Sequence, residues 1–253
     1  MLYDFLNHVI NAFSPPGCWG HGSGERKSRA LHFKPKSKKK FQFPVFLVAN
    51  IRGGLTTKLD EMQLLFISND IDICVISETW LHVGINNDIL QIADYSLFRL
   101  DRRGGQQGGG LAVYVKQGIS CSCLSQLTHN ELEVLWLLYR PHSMPREVTH
   151  LLIGEIYHPP KANNFQMLDY LVASMDEFTR AHPYTGILVL GDFNQLPDSQ
   201  LKSFPLQQIV TCPTRGNSIS DKIYTNVTDW YQTPIILPGV SRSDHCYSFE
   251  TGS

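Results

Sequence analysis

Carboxylates, amides and an imidazole recur at the ends of apolar runs along this chain. Asn50 closes one such run, Glu78 follows a second, Tyr157 ends a third, and Asp192 and Asn194 follow a fourth. Asp221, Asp244 and His245 come later. A Glu at a strand end is ordinarily a solvated or capping group, and a Gly-Asp pair is ordinarily a turn. Together, however, these groups form a set of hard oxygen donors plus one base. That set suits Mg²⁺, with Mn²⁺ as the alternative, and does not suit a structural zinc. Without a cation the carboxylates would repel one another and any phosphate. With one they hold a Lewis acid against a phosphoryl oxygen. The chemistry expected is cleavage of a phosphodiester or phosphomonoester. Cys121-Ser122-Cys123 lacks a second pair at finger spacing, so all six Cys are read as ordinary thiols.

These residues need elements to position them. Residues 43–50 and 71–77 read as buried strands, and residues 55–68 between them show helical spacing of apolar residues. Residues 110–115, 132–139, 151–157 and 186–190 read as further strands. Residues 164–180 form an amphipathic helix with Phe165, Leu168, Leu171, Met175 and Phe178 on one stripe. A last strand is expected right after His245. More strands than helices predict a mixed α/β domain, with polar residues released along one sheet edge, where sites are commonly built.

The chain has 253 residues and a net charge of -1. That near-zero charge is the sum of unlike parts. Residues 1–40 hold eight basic and two acidic residues, a balance of +6. The remainder holds 14 basic and 21 acidic residues, a balance of −7. Residues 14–40 combine Gly, Pro, Ser and like charges and are expected to be disordered; residues 2–13 could form a short helix. The Lys34–Lys40 cluster reads as a nuclear-import signal, a phosphate-binding arm or a plain solvated leader. The domain plan is a leader over 1–40, one domain over 41–250 and a tail over 251–253. No stretch approaches the ~20 apolar residues of a membrane span, and residues 1–13 carry Asp4 and no basic start. An intracellular, nuclear protein without a membrane partner is expected; protein partners are not legible.

Asn50, Ser77-Glu78-Thr79-Trp80, Tyr157-His158-Pro159-Pro160, Gly191-Asp192-Phe193-Asn194, Asp221-Lys222-Ile223-Tyr224-Thr225 and Ser243-Asp244-His245 occur in that order. This series resembles the motifs of the exonuclease–endonuclease–phosphatase superfamily. The Ser77–Trp80 form, residues 211–216 and the run from Asp221 resemble the apurinic-type endonuclease domain of LINE-type non-LTR retrotransposons. The resemblance covers about residues 43–250. It implies a four-layer sandwich, two mixed β-sheets flanked by helices, with the site at one rim. It implies roles as well. Glu78, Asn50 and Asp244 would serve the divalent metal. Asp192 would orient or deprotonate the attacking water, and Asn194 would position water or phosphate. His245, oriented by Asp221, and Tyr157 would contact the scissile phosphate. Thr214 and Ser243 would be further phosphate contacts. Arg102 and Arg103, in the Gly-rich segment 101–110, could meet a substrate phosphate or belong to a plain hairpin. Ser220 stands where the family commonly has an apolar residue.

The resemblance therefore implies a metal-dependent DNA endonuclease that nicks one strand and leaves a 3′-hydroxyl. No segment resembles a reverse transcriptase, so an isolated endonuclease part, a remnant or a host-derived reading frame is implied. A repair-type apurinic endonuclease or a small-phosphoester phosphatase would use the same residues. A catalytically silent nucleic-acid binder, tethered by the basic arm, is the reading from another class. It is opposed by the intact set Asn50, Glu78, Asp192, Asn194, Asp221 and His245.

Overall fold

The computed structural model describes residues 43–102, 108–140, 145–237 and 247–250, the last four through their backbone. The leader, with the short helix expected over 2–13, and the tail over 251–253 lie outside the described residues.

Two βαβ units organise the molecule. Apolar β1 (Phe46–Asn50) and β2 (Ile73–Ser77) are fully buried and pair in parallel, with α1 (Leu59–Ser68) as their crossover. The same plan recurs in β7 (His150–Tyr157), α2 (Asn164–Ala181) and β8 (Thr185–Asp192). The other strands extend each pair antiparallel. β3 (Tyr95–Leu100), β4 (Leu111–Lys116), β11 (Ile235–Leu237) and β12 (Tyr247–Glu250) join the first. β5 (Cys121–Cys123), β6 (Glu133–Tyr139), β9 (Gln207–Gln208) and β10 (Asp221–Thr225) join the second. Among the described residues the result is two mixed six-stranded sheets, ordered β11-β12-β1-β2-β4-β3 and β5-β6-β7-β8-β10-β9.

Period-2 alternation decides which side chains face which layer. Phe46, Val48, Ile73, Val75, Leu151, Ile153, Leu188 and Leu190 fill the core between the sheets. The opposite faces receive the helices. Met167, Leu168, Leu171, Met175 and Phe178 of α2 pack on Leu152, Ile156, Ile187 and Val189. This is the expected sandwich of two mixed sheets with helices outside. The α2 stripe needs one correction: Phe165 is 68% exposed, and Met167 takes the buried place. Phe165 is the second helical residue, before the buried face has come round. Along the 55–68 segment a 3₁₀ turn (Leu55–Thr57) comes first and the α-helix starts at Leu59.

Candidate active site

The rim follows from the alternation. Continuing the inward-facing series to the end of each strand places Asn50, Ser77, Tyr157 and Asp192 at the carboxyl ends of the two parallel pairs. Asp221 opens β10 directly opposite Asp192. Ligands gather at such carboxyl edges in α/β sheets because the strands release side chains there that no further pairing consumes.

Asn50, Asp192 and Asp221 are buried. Asn50 bridges the two sheets by donating from Nδ2 to Asp192 Oδ2 at 2.7 Å. Asn194 completes the set. Its backbone N–H donates to Asp192 Oδ1 at 2.9 Å, and its Nδ2 donates to Asp192 Oδ2 at 3.0 Å. Asn194 Nδ2 also donates to the His158 carbonyl at 3.0 Å, tying this loop to the end of β7. Three donors thus fix both oxygens of one carboxylate, and Asn194 reaches them from a left-handed φ of 46°.

Glu78 stands opposite, half-buried, and also at positive φ, 54°. Tyr157 donates its hydroxyl to Glu78 Oε1 at 3.1 Å. Burial raises the Tyr157 pKa well above the ordinary phenol value, and the Glu78 charge adds to that, so Tyr157 stays a donor. Trp80 follows at φ 56°. Left-handed backbone in three non-glycine residues of one rim costs of order 1 kcal/mol each and persists only where surrounding contacts impose it.

The remaining expected residues fall as follows. Thr214 is fully buried, and its Oγ1 accepts from the Ser220 and Asp221 N–H groups, each at 3.0 Å. Ser220, despite its polarity, is spent on backbone pairing, its carbonyl accepting from Phe193 N at 2.9 Å. Arg102 Nε lies 3.4 Å from Glu133 Oε1. Arg103, Ser243, Asp244 and His245 lie outside the described residues.

Two residues escaped the sequence reading. Glu133 opens β6 directly across from Tyr157 and accepts from Gly110 N at 2.5 Å. Burial raises its pKa, against the opposing pull of Gly110 and Arg102. Its only signal was a strand start in an acidic stretch. Lys58 is buried, and its Nζ donates to the Ile51 and Arg52 carbonyls just past Asn50. In the sequence it reads as a solvated helix lysine. Beside the rim lies a cleft of about 580 Å³, with Leu100, Arg102, His129, Glu133, His158 and Lys161 among its walls.

The donors suit a hard divalent cation: a carboxylate at Glu78 and an amide oxygen at Asn50, on one rim with Asp192 and Asp221. Among the described residues no group of three or more His, Cys, Asp or Glu is gathered as a metal cage. A cation held by few protein oxygens, with water completing its shell, is what Mg²⁺ ordinarily accepts. Among the described residues no helix is long and apolar enough to cross a membrane.

A profile described as the Endonuclease/Exonuclease/phosphatase family matches residues 47–245. No curated protein matches the chain in sequence. Solved structures share its fold at low identity. The endonuclease domain of TRAS1, a telomere-specific non-LTR retrotransposon, is 14% identical with a TM-score of 0.63, covering 83% of this chain and 98% of that one. AP endonuclease LMAP from Leishmania major is 15% identical with a TM-score of 0.60, covering 83% and 87%. The 3′ phosphatase NExo from Neisseria, bound to a product DNA hairpin, is 14% identical with a TM-score of 0.57, covering 83% and 100%.

Proposed function

The chain belongs to the Endonuclease/Exonuclease/phosphatase family, and on that premise we propose that it is a Mg²⁺-dependent DNA endonuclease, with Mn²⁺ as the alternative metal, that nicks one strand and leaves a 3′-hydroxyl. The observation that carries this reading is the clamped Asp192 carboxylate, held by Asn50 and Asn194 across the rim from Glu78 and Tyr157. The likeness in fold to the TRAS1 endonuclease domain supports placing it among retrotransposon-type nucleases.

Phosphodiester hydrolysis needs an aligned water, a sink for its proton, and positive or donating groups around the phosphoryl oxygens. Asp192 is the base that takes the proton, and its three donors hold it in the orientation that attack requires. Asn194 has both Nδ2 hydrogens taken by Asp192 and the His158 carbonyl, and its Oδ1 is left to accept from the attacking water and hold it toward that base. Tyr157, its proton kept by burial, would turn its hydroxyl from Glu78 to the phosphate when substrate binds. Glu78 and Asn50 hold the cation, which would withdraw charge from the phosphate when bound. Thr214 sets the start of β10, its oxygen accepting from the Ser220 and Asp221 N–H groups, and its O–H remains to donate. Asp221 would in turn orient His245.

A substrate panel tests this reading. Supercoiled plasmid, an abasic duplex, a 3′-phosphorylated strand and an inositol phosphate are each incubated with Mg²⁺, with Mn²⁺ and with EDTA. The proposal expects plasmid nicking that EDTA abolishes and ends that a polymerase extends directly. Cleavage confined to the abasic duplex or to small phosphoesters would replace it with a repair or phosphatase role. Binding without cleavage would leave a nucleic-acid binder.

A further inference from the structure

Glu78 sits in a turn that its own sequence does not stabilise. Glu78 and Trp80 both have positive φ, 54° and 56°, and neither is glycine. A second turn holds this one. Thr79 N donates to the Gly110 carbonyl at 3.2 Å, and Trp80 N donates to the Gly109 carbonyl at 2.9 Å. Gly108, Gly109 and Gly110 all have positive φ, 94°, 70° and 83°. A glycine turn of this kind has no side chains with which to hold itself and must be held from outside.

The residue that holds it is Glu133. Its Oε2 accepts from Gly110 N at 2.5 Å. A Cβ on Gly109 would lie 2.6 Å from Glu133 Oε1, so the carboxylate is packed directly on the backbone of the turn. A Cβ on Gly110 would lie 2.7 Å from Thr79 Oγ1, so the two turns are in equally close contact. Glu133 is also the cross-strand partner of Tyr157, whose hydroxyl binds Glu78. Arg102, 3.4 Å away, offsets the charge of Glu133. A second bare carboxylate so close to Glu78 would otherwise repel both Glu78 and an incoming phosphate.

We propose that Glu133 is a positioning residue for the reaction. It clamps the Gly108–Gly110 turn, which forces the Glu78–Trp80 turn into its left-handed backbone and so aims the Glu78 carboxylate. Arg102 is the counter-ion that makes this clamp compatible with an anionic substrate. The inference rests on the proposed function for its catalytic consequence, but not for its structural one.

The test has two independent readouts on the full chain, using Glu133→Ala, Glu133→Gln and wild type. The first is amide hydrogen exchange of Thr79 and Trp80 without metal. Glu133→Ala should speed exchange at both by about tenfold or more while leaving β7 and β8 amides at the wild-type rate. The second is plasmid nicking under Mg²⁺. Glu133→Ala should lower kcat by about tenfold with KM within about twofold. Glu133→Gln should recover most of both losses, because its amide oxygen still accepts from Gly110 N. Unchanged exchange at Thr79 and Trp80, equal acceleration in β7 and β8, or failure of Gln to restore what Ala loses would each overturn the clamp. If wild type cuts none of the substrates, the proposed function falls while the exchange data still decide the clamp.

Discussion

Asp192 carries the heaviest chemical assignment of any residue in the rim, and its surroundings predict how it will respond to substitution. Three donors converge on its two oxygens. Asp192→Asn keeps one acceptor oxygen but turns an N–H₂ toward at least one of those donors. Turnover should fall by about 10²- to 10⁴-fold, the range for loss of a general base. Stability should fall by about 1–3 kcal/mol, the cost of a buried donor left unmet. Urea unfolding separates the two effects. Glu155 makes the opposite prediction. It is fully buried in the core between the sheets, and among the described residues neither of its oxygens makes a hydrogen bond of good geometry. Burial pushes its pKa well above the carboxylate range, and the Glu133 charge adds to that. A folded-state pKa above the unfolded one means the folded chain holds the proton more tightly. Stability is then greatest below the unfolded value, about 4.3 for Glu, and declines as pH rises from there toward the folded value. Glu155→Gln should therefore be more stable than wild type at pH 8, with the advantage shrinking toward pH 4. Denaturant midpoints across that range check it, and a pH-independent difference would contradict it.

Elements decide what these residues can reach. β1, β7 and β8 could be read as buried strands from their continuous apolar runs, and their last members could be read as site residues because a polar side chain ended each run. β3 and β10 were missed as strands. In Tyr95–Leu100 only the first residue is buried, which blurs the alternation, and Asp221–Thr225 places a buried carboxylate where a strand would ordinarily begin apolar. The roles of Thr214 and Glu133 were hidden for a different reason. Glu133 acts by a side-chain bond to backbone 23 residues away, and Thr214 by bonds that close a six- to seven-residue loop, neither of which apolar periodicity encodes. Thr214 holds the N–H groups of Ser220 and Asp221, so Thr214→Val should cost on the order of 2 kcal/mol or more by leaving two buried donors without an acceptor. Gly109→Ala tests the neighbouring turn. It meets both a φ of 70° and the Glu133 carboxylate, and should lower activity and melting temperature together.

At the scale of the whole molecule, the proposed function predicts that the division of charge separates chemistry from tethering. The acidic part of the chain, at −7, contains the rim, and the basic leader at +6 lies before residue 47, where the family match begins. Removing residues 1–40 should leave the melting temperature of the rest within about 2 °C, since the family match begins only at residue 47. DNA affinity should fall, and its dependence on salt should become shallower by roughly 0.9 log units for each phosphate that the leader had neutralised. A filter-binding salt series on the full and shortened chains reads this directly. An unchanged slope would show that the leader neutralises no phosphate.

The most direct test of the proposed chemistry is nicking of supercoiled plasmid by the full chain, measured with Mg²⁺ and with EDTA for wild type, Glu78→Ala and Asp192→Asn, each confirmed folded by circular dichroism. Wild type should give open-circle product with Mg²⁺ and none with EDTA, and either variant should give at least about a hundredfold less. Nicking that survives EDTA, or that either folded variant performs at the wild-type rate, would contradict a metal-dependent reaction at Glu78 and Asp192.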